Sequence, residues 1–142
     1  LVRDNKGVTL IELLAVLALL TLILTLATSV HLFGQKQMSN QTTQIENQAN
    51  VRLAINILTK EIRKANSVKA SDNVLTINGT DTYKVENHEI KKNGTTLVSL
   101  IKELKVSEVE DKNEKKIIIN ITSISDKNNH EVTLSTEIYI RK

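Results

Sequence analysis

Apolar positions are distributed along this chain in three distinct ways. From Val8 to Val30 they form a nearly continuous run, interrupted by a single charged residue, Glu12. As a helix this run of about 23 residues measures roughly 35 Å, enough to cross a bilayer. From Gln35 to Asn50 the composition turns to Gln, Asn, Ser and Thr, with Met38 and Ile45 the only sizeable apolar residues. Helix propensity is weak there, so the sequence predicts a helix loosened by Gly34 and between Gln35 and Thr43. From Ile45 a helical period returns. Val51, Ala54, Ile55, Leu58, Ile62 and Ala65 fall on one stripe, and Arg52, Asn56, Lys60, Arg63 and Lys64 on the other side. Such a half-helix must pack its stripe on something, and Ala65-Asn66-Ser67 is its expected end.

Beyond it the pattern changes to strands. Val74–Ile77 and Thr82–Val85 flank Asn78-Gly79, and His88–Lys91 runs into Asn93-Gly94. Asn-Gly between alternating runs is a strong hairpin signal. Residues 97–104 are ambiguous. Leu97, Leu100, Ile101 and Leu104 fit a helical turn, whereas Leu104-Lys105-Val106 reads as strand. Glu110–Lys116 reads as a charged loop. Lys116–Ser125 and Val132–Ile140 are the clearest strands, joined by a polar loop over Asp126–His130 and expected to pair antiparallel.

The fold class expected is therefore α+β, a long N-terminal helix packed on a C-terminal antiparallel sheet. The divisions are residues 1–7, an apolar half-helix at 8–34, a polar then amphipathic half-helix at 35–66, and a β domain at 67–142. Packing the sheet over the half-helix stripe buries the open face of both.

Composition narrows the chemistry. The 142 residues contain no cysteine, which excludes disulfides and thiol catalysis within the chain, and aromatics are only 2%, so the core must be aliphatic. The net charge of +3 is spread among interspersed signs, a solvated surface rather than the footprint of a dedicated nucleic-acid binder. The basic pairs Lys91-Lys92, Lys115-Lys116 and Arg141-Lys142 lack interleaved aromatics for stacking on single strands. His31, His88 and His130 have no metal-ligand spacing. The acidic stretches Glu108–Glu114 and Asp126–Glu131 do not match a calcium loop and read as solvated. No nucleophile elbow or phosphate loop is present. The expectation is a non-enzyme without a cofactor or metal.

Glu12 demands an explanation, because a carboxylate inside an apolar span is costly. Lys6-Gly7-Val8-Thr9-Leu10-Ile11-Glu12, followed by the apolar helix, resembles the processing site of type IV pilins and pseudopilins. The resemblance implies a leader over residues 1–7, cleavage by a prepilin peptidase between Gly7 and Val8, and N-methylation of Val8. It also implies filament assembly through Thr9, Leu10, Ile11 and Glu12, with Glu12 pairing with the N-terminal amine of a neighbouring subunit. Val8 departs from the usual Phe at the first mature position. The physics runs the same way. Gly7 offers no side chain to an enzyme that must hold extended backbone closely. A new amine at Val8 and the Glu12 carboxylate are each costly in lipid and can neutralise one another, within one helix or between subunits.

Arg3 and Lys6 before the apolar run would keep that end in the cytoplasm, giving a single-pass cytoplasmic-membrane protein with an extracytoplasmic C-terminal domain. Residues 51–63, Tyr83-Lys84-Val85, residues 90–98 and residues 137–141 resemble minor subunits akin to the J pseudopilin of type II secretion and the W-type minor pilins. Expected partners are other pilin or pseudopilin subunits, the peptidase and the inner or cytoplasmic membrane. The machine served is a pilus, a secretion system or a competence apparatus. The alternative is a membrane-anchored DNA-binding module of the competence machinery.

Overall fold

The computed structural model describes residues 7–111 and 114–140, the side chain of residue 111 excepted. Residues 1–6 of the expected leader, with Arg3 and Lys6, and the basic pair Arg141-Lys142 lie outside the described residues. Among the described residues one helix, α1 (Leu10–Lys64), precedes eight strands: β1 (Val68–Ser71), β2 (Val74–Ile77), β3 (Asp81–Glu86), β4 (Glu89–Lys92), β5 (Thr95–Ser99), β6 (Ile101–Asp111), β7 (Glu114–Ser123) and β8 (Thr133–Ile140). The chain divides into two units, residues 1–39 and 40–142.

The helix does not break at Gly34 or loosen between Gln35 and Thr43. A glycine costs about 1 kcal/mol in a helix interior, and with no proline nearby one glycine and a few weak formers do not outweigh the turns on either side. In the second unit the buried positions of α1 are Asn40, Asn47, Val51, Ala54, Leu58 and Ile62, and Ile55 and Ala65 are packed against the core. This is the stripe expected from the sequence. Arg52, Asn56, Lys60, Arg63 and Lys64 are exposed. The helix ends where Ala65 N–H bonds to Ile62 O (3.1 Å), and Asn78 Oδ1 accepts the N–H groups of Asn66 (2.8 Å) and Ser67 (3.2 Å).

The helix stripe packs on antiparallel strands. The five-stranded sheet is a meander in the order β1-β2-β3-β4-β5, and the three-stranded sheet has the order β6-β7-β8. Asn78-Gly79 and Asn93-Gly94 have positive φ at both residues and make the two turns expected of them. Two further turns, Asp72-Asn73 and Asn87-His88, have the same left-handed pair without glycine. Strand β1 escaped the sequence reading because its turn lacks the Asn-Gly signal, although Asp and Asn tolerate this backbone.

The ambiguous residues 97–104 are strand. Leu100, at φ 62°, is the corner where the chain leaves β5 for β6, and the register shifts again between Ile101 and Glu103. Two interruptions of strand alternation mimic the helical spacing of Leu97, Leu100, Ile101 and Leu104. The expected charged loop at 110–116 is a correction of the same kind. Strand β6 runs to Asp111 and β7 starts at Glu114, with Glu110 opposite Lys115 and Val109 opposite Lys116. Lys115 forms its ion pair diagonally across the two strands, with Glu108, and such cross-strand pairs support pairing where hydrophobicity is absent. Strands β7 and β8 pair in unbroken register from Lys115↔Ile140 to Thr122↔Thr133.

The core joins α1 to both sheets through Leu58, Ile62, Leu75, Tyr83, Ile90, Ile101, Leu104, Ile117, Ile119 and Ile121, among others. Its one aromatic, Tyr83, is fully buried and gives its hydroxyl to Glu61 Oε2 (3.1 Å). Lys92 joins that carboxylate (3.5 Å) to Asp81 (2.8 Å), tying the end of α1 to β3 and β4.

Candidate assembly site

Gly7, Val8 and Thr9 precede the helix, and Leu10 is its first residue. Thr9 occupies the cap position, and its carbonyl accepts the N–H of Leu13 (3.1 Å). The N–H and hydroxyl of Thr9 both donate to Glu12 Oε2, each at 2.9 Å, and the N–H of Glu12 donates back to Thr9 Oγ1 (3.3 Å). This is a capping box: cap residue and third helical residue satisfy donors that have no partner within the helix. Thr-x-x-Glu ahead of an apolar run is a helix-start signature in its own right. Glu12 therefore has a local partner before any other subunit is considered, and its negative charge sits at the positive end of the helix dipole.

The structure brings Thr9 and Glu12 together and leaves Val8, Leu10 and Ile11 exposed, at 77%, 78% and 75%. Gly7 is exposed with nothing within 4 Å of where a Cβ would stand. Every residue from Gly7 to Ser39 is exposed, and from Val8 to Phe33 the exposed surface is mainly apolar. By length and composition α1 is able to cross a membrane.

The polar residues in this run bind their own backbone. The hydroxyls of Thr21, Thr25, Thr28 and Ser29 donate to the carbonyls of Ala18, Leu22, Leu24 and Thr25, each at 2.8 Å. Their polarity is thus satisfied without water, as an apolar surrounding requires. His31 lies just beyond, with its Nε2 3.0 Å from Gln35 Nε2.

A second polar cluster, not foreseen from the sequence, lies in the other unit. The Asp126–His130 loop is exposed from Lys127 to His130, as expected of a solvated loop, but Asp126 turns onto α1. Asp126 is 6% exposed. Its Oδ1 accepts the N–H groups of Asn128 and His130 (2.8 Å each), and Oδ2 accepts from Gln44 (3.2 Å) beside His130 Nδ1 (3.4 Å). Asn47 donates to Ile124 O (3.0 Å). N–H donors thus surround the carboxylate and hold its pKa below the ordinary value, His130 N–H first, against the opposing effect of burial. Oxygens already turned to N–H donors are poorly placed to take calcium. Among the described residues no three His, Asp or Glu side chains gather as a metal site.

Residues 2–28 match the family model described as the prokaryotic N-terminal methylation motif. Comparison with curated proteins and with solved structures gave no match. The match spans Gly7-Val8, the capping box and most of the apolar run, and the chain as a whole is a long helix packed on antiparallel strands. The chain thus carries the N-terminal motif of type IV pilin-like prepilins on an α+β, pilin-like fold.

Proposed function

We propose that this chain is a structural subunit, of the minor pilin or pseudopilin kind, of a type IV filament system. Cleavage by the prepilin peptidase between Gly7 and Val8 would free an α-amine, which is then N-methylated. The apolar run from Leu10 to Val30 anchors the subunit in the cytoplasmic membrane before assembly and packs against other subunits after it, with residues 40–142 on the extracytoplasmic side. The observation that carries this reading is the lone carboxylate of Glu12, in the first turn of an otherwise uncharged, uncovered apolar segment. Both Thr9 donors use Oε2, so a neighbouring amine that met Oε1 would not have to displace them. The charges of amine and carboxylate would then cancel in a surrounding that tolerates neither alone.

Intact-mass and N-terminal analysis of the protein from its native membrane tests the processing. A chain starting at Val8 supports it. A chain that retains Gly7 in cells with an active prepilin peptidase refutes it. The alternative, a membrane-anchored DNA-binding module, has in its favour the exposed cations Arg52 and Lys60, which form no ion pair among the described residues. A salt-titrated binding assay with duplex DNA separates the two, because the filament role requires no affinity for DNA.

A further inference from the structure

Among the described residues strand β8 is the last strand of its sheet, with hydrogen-bonded neighbours on the β7 side only. It is eight residues long, keeps register with β7 throughout, and contains no proline. Its one charged residue, Glu137, is held by Lys116 on β7 (2.6 Å). The usual guards of a free edge, a bulge, a proline or an unpaired charge, are thus missing. The edge at β1 contrasts with it. There Lys115 Nζ donates to Val68 O (2.6 Å) and Glu108 Oε2 accepts from Ala70 N–H (3.4 Å), so side chains occupy backbone groups that a foreign strand would need.

Beside β8 lies a groove of about 280 Å³, lined by Ile62, Arg63 and Ala65 at the end of α1 and by Ile138, Tyr139 and Ile140. Consecutive strand residues point to opposite faces, so a groove touching three in a row reaches around the strand edge. Ile62 and Ile138 are buried, while Tyr139 is 59% exposed. The space is small for a drug-sized ligand, whose pockets run from about 300 Å³ upward, but it accommodates one branched aliphatic side chain. Arg63 at its rim is exposed and has no ion pair among the described residues, whereas the charge of Lys116 is already matched by Glu137. The groove therefore offers backbone hydrogen bonds, one apolar slot and one unmatched positive charge.

We propose that the β8 edge and this groove form a docking site for an extended segment of a partner protein. The segment adds to the sheet as a fourth strand, sets one aliphatic side chain between Ile62 and Ile138, and presents a carboxylate to Arg63. Main-chain bonds supply the affinity of such strand addition, and the slot and the charge supply its selectivity. The site is separate from residues 8–30 and does not rest on their role in assembly.

The test uses the full chain in detergent micelles and a synthetic probe, acetyl-Thr-Glu-Val-Leu-Val-Glu-Thr-amide, whose two Glu share the face of the central Leu, followed by NMR titration. Saturable binding is expected, with shifts concentrated at Ala65 and Ile138–Ile140. Replacing both Glu of the probe by Lys should weaken binding about fivefold, and Arg63→Glu should reverse that preference. Replacing the probe's Leu by Ala should cost about tenfold. Two further probes, N-methylated on alternate residues so that opposite edges are blocked, should behave oppositely, one binding and one not. Equal binding by both N-methylated probes would overturn strand addition. So would the absence of saturable binding up to millimolar probe, shifts centred on β5, or an Arg63→Glu chain that keeps its preference for the acidic probe. Self-association of the chain through β8 that excludes the probe would show that the occupant is a second copy and overturn the choice of partner.

Discussion

Thr9 and Glu12 exchange hydrogen bonds in both directions across the first turn of α1, two to Glu12 Oε2 and one back to Thr9 Oγ1. Glu12 thus has two separable properties, a shape that caps the helix and a charge that could recruit an amine. Glutamine at the third helical position completes a capping box as glutamate does. Glu12→Gln should therefore preserve the helix start and lose filament incorporation, while Glu12→Ala loses both. Membrane insertion should survive in each. Subunit content of sheared filaments reports incorporation, and amide exchange at Thr9, whose N–H bonds to the Glu12 side chain, reports the cap, with exchange several-fold faster only in Glu12→Ala. Normal incorporation of Glu12→Gln would remove the charge from the assembly role.

The Asp126 clasp predicts an acid-sensitive contribution to stability. The carboxyl of Asp126 titrates below its ordinary range because of the N–H groups of His130 and Asn128 and the Gln44 amide. A carboxylate depressed in the folded state stabilises it above the unfolded pKa of about 3.9, and this contribution fades as pH falls through the lower folded value. Glu131, held low by Lys102 and Ser125, acts in the same direction. Asp126→Asn should lower the urea midpoint at pH 7, and wild type and variant should converge towards pH 3. A gap that is constant with pH would mean that the loop is held by shape alone.

Lys115 guards the β1 edge through Val68 O and Glu108. Lys115→Met keeps the length of the side chain but leaves that carbonyl without its donor, at a cost of about 1 kcal/mol. The loss should appear as a lower unfolding midpoint, together with concentration-dependent light scattering as the uncapped edge finds other strands. A variant as stable and as monodisperse as wild type would leave Lys115 with no guarding role.

The sequence disclosed most where one physical signal dominated. The stripe from Val51 to Ile62 is a strong helical period, and the structure buries its aliphatic positions. The two Asn-Gly turns and the β7–β8 hairpin were legible for the same reason. Glu12 stood out because a lone charge in an apolar run has few explanations, whereas the capping box that Thr-x-x-Glu encodes was passed over in the sequence. Three features were hidden. Strand β1 depends on an Asp-Asn turn whose left-handed backbone is merely tolerated by those residues. The strand ends at 108–111 and 114–116 lack hydrophobic alternation, and there an ion pair, Lys115 with Glu108, links the two strands. The clasp of Gln44, Asp126 and His130 joins residues more than 80 positions apart, and local patterning contains no information about such contacts.

Leu100 offers the sharpest test of the backbone. It is a bulky residue at φ 62°, where L-residues other than Gly, Asn and Asp are disfavoured by roughly 1–2 kcal/mol. Two bonds hold it there: its carbonyl accepts Ile124 N–H (3.0 Å), and the next N–H, that of Ile101, donates to His88 O (2.9 Å). These bonds fix the corner between the two sheets, and the surrounding fold carries the strain. Leu100→Ala and Leu100→Gly remove the same half-buried side chain and differ chiefly in backbone freedom. In a regular strand alanine is the better residue, because glycine loses more entropy on folding. At this corner the order should reverse, with Leu100→Gly more stable than Leu100→Ala by about 1 kcal/mol. Leu100→Val should be the least stable of the three, since a β-branched side chain fits a left-handed backbone worst. Urea unfolding of the three variants under one condition decides the matter. If alanine exceeds glycine, the left-handed corner is not what holds the two sheets together.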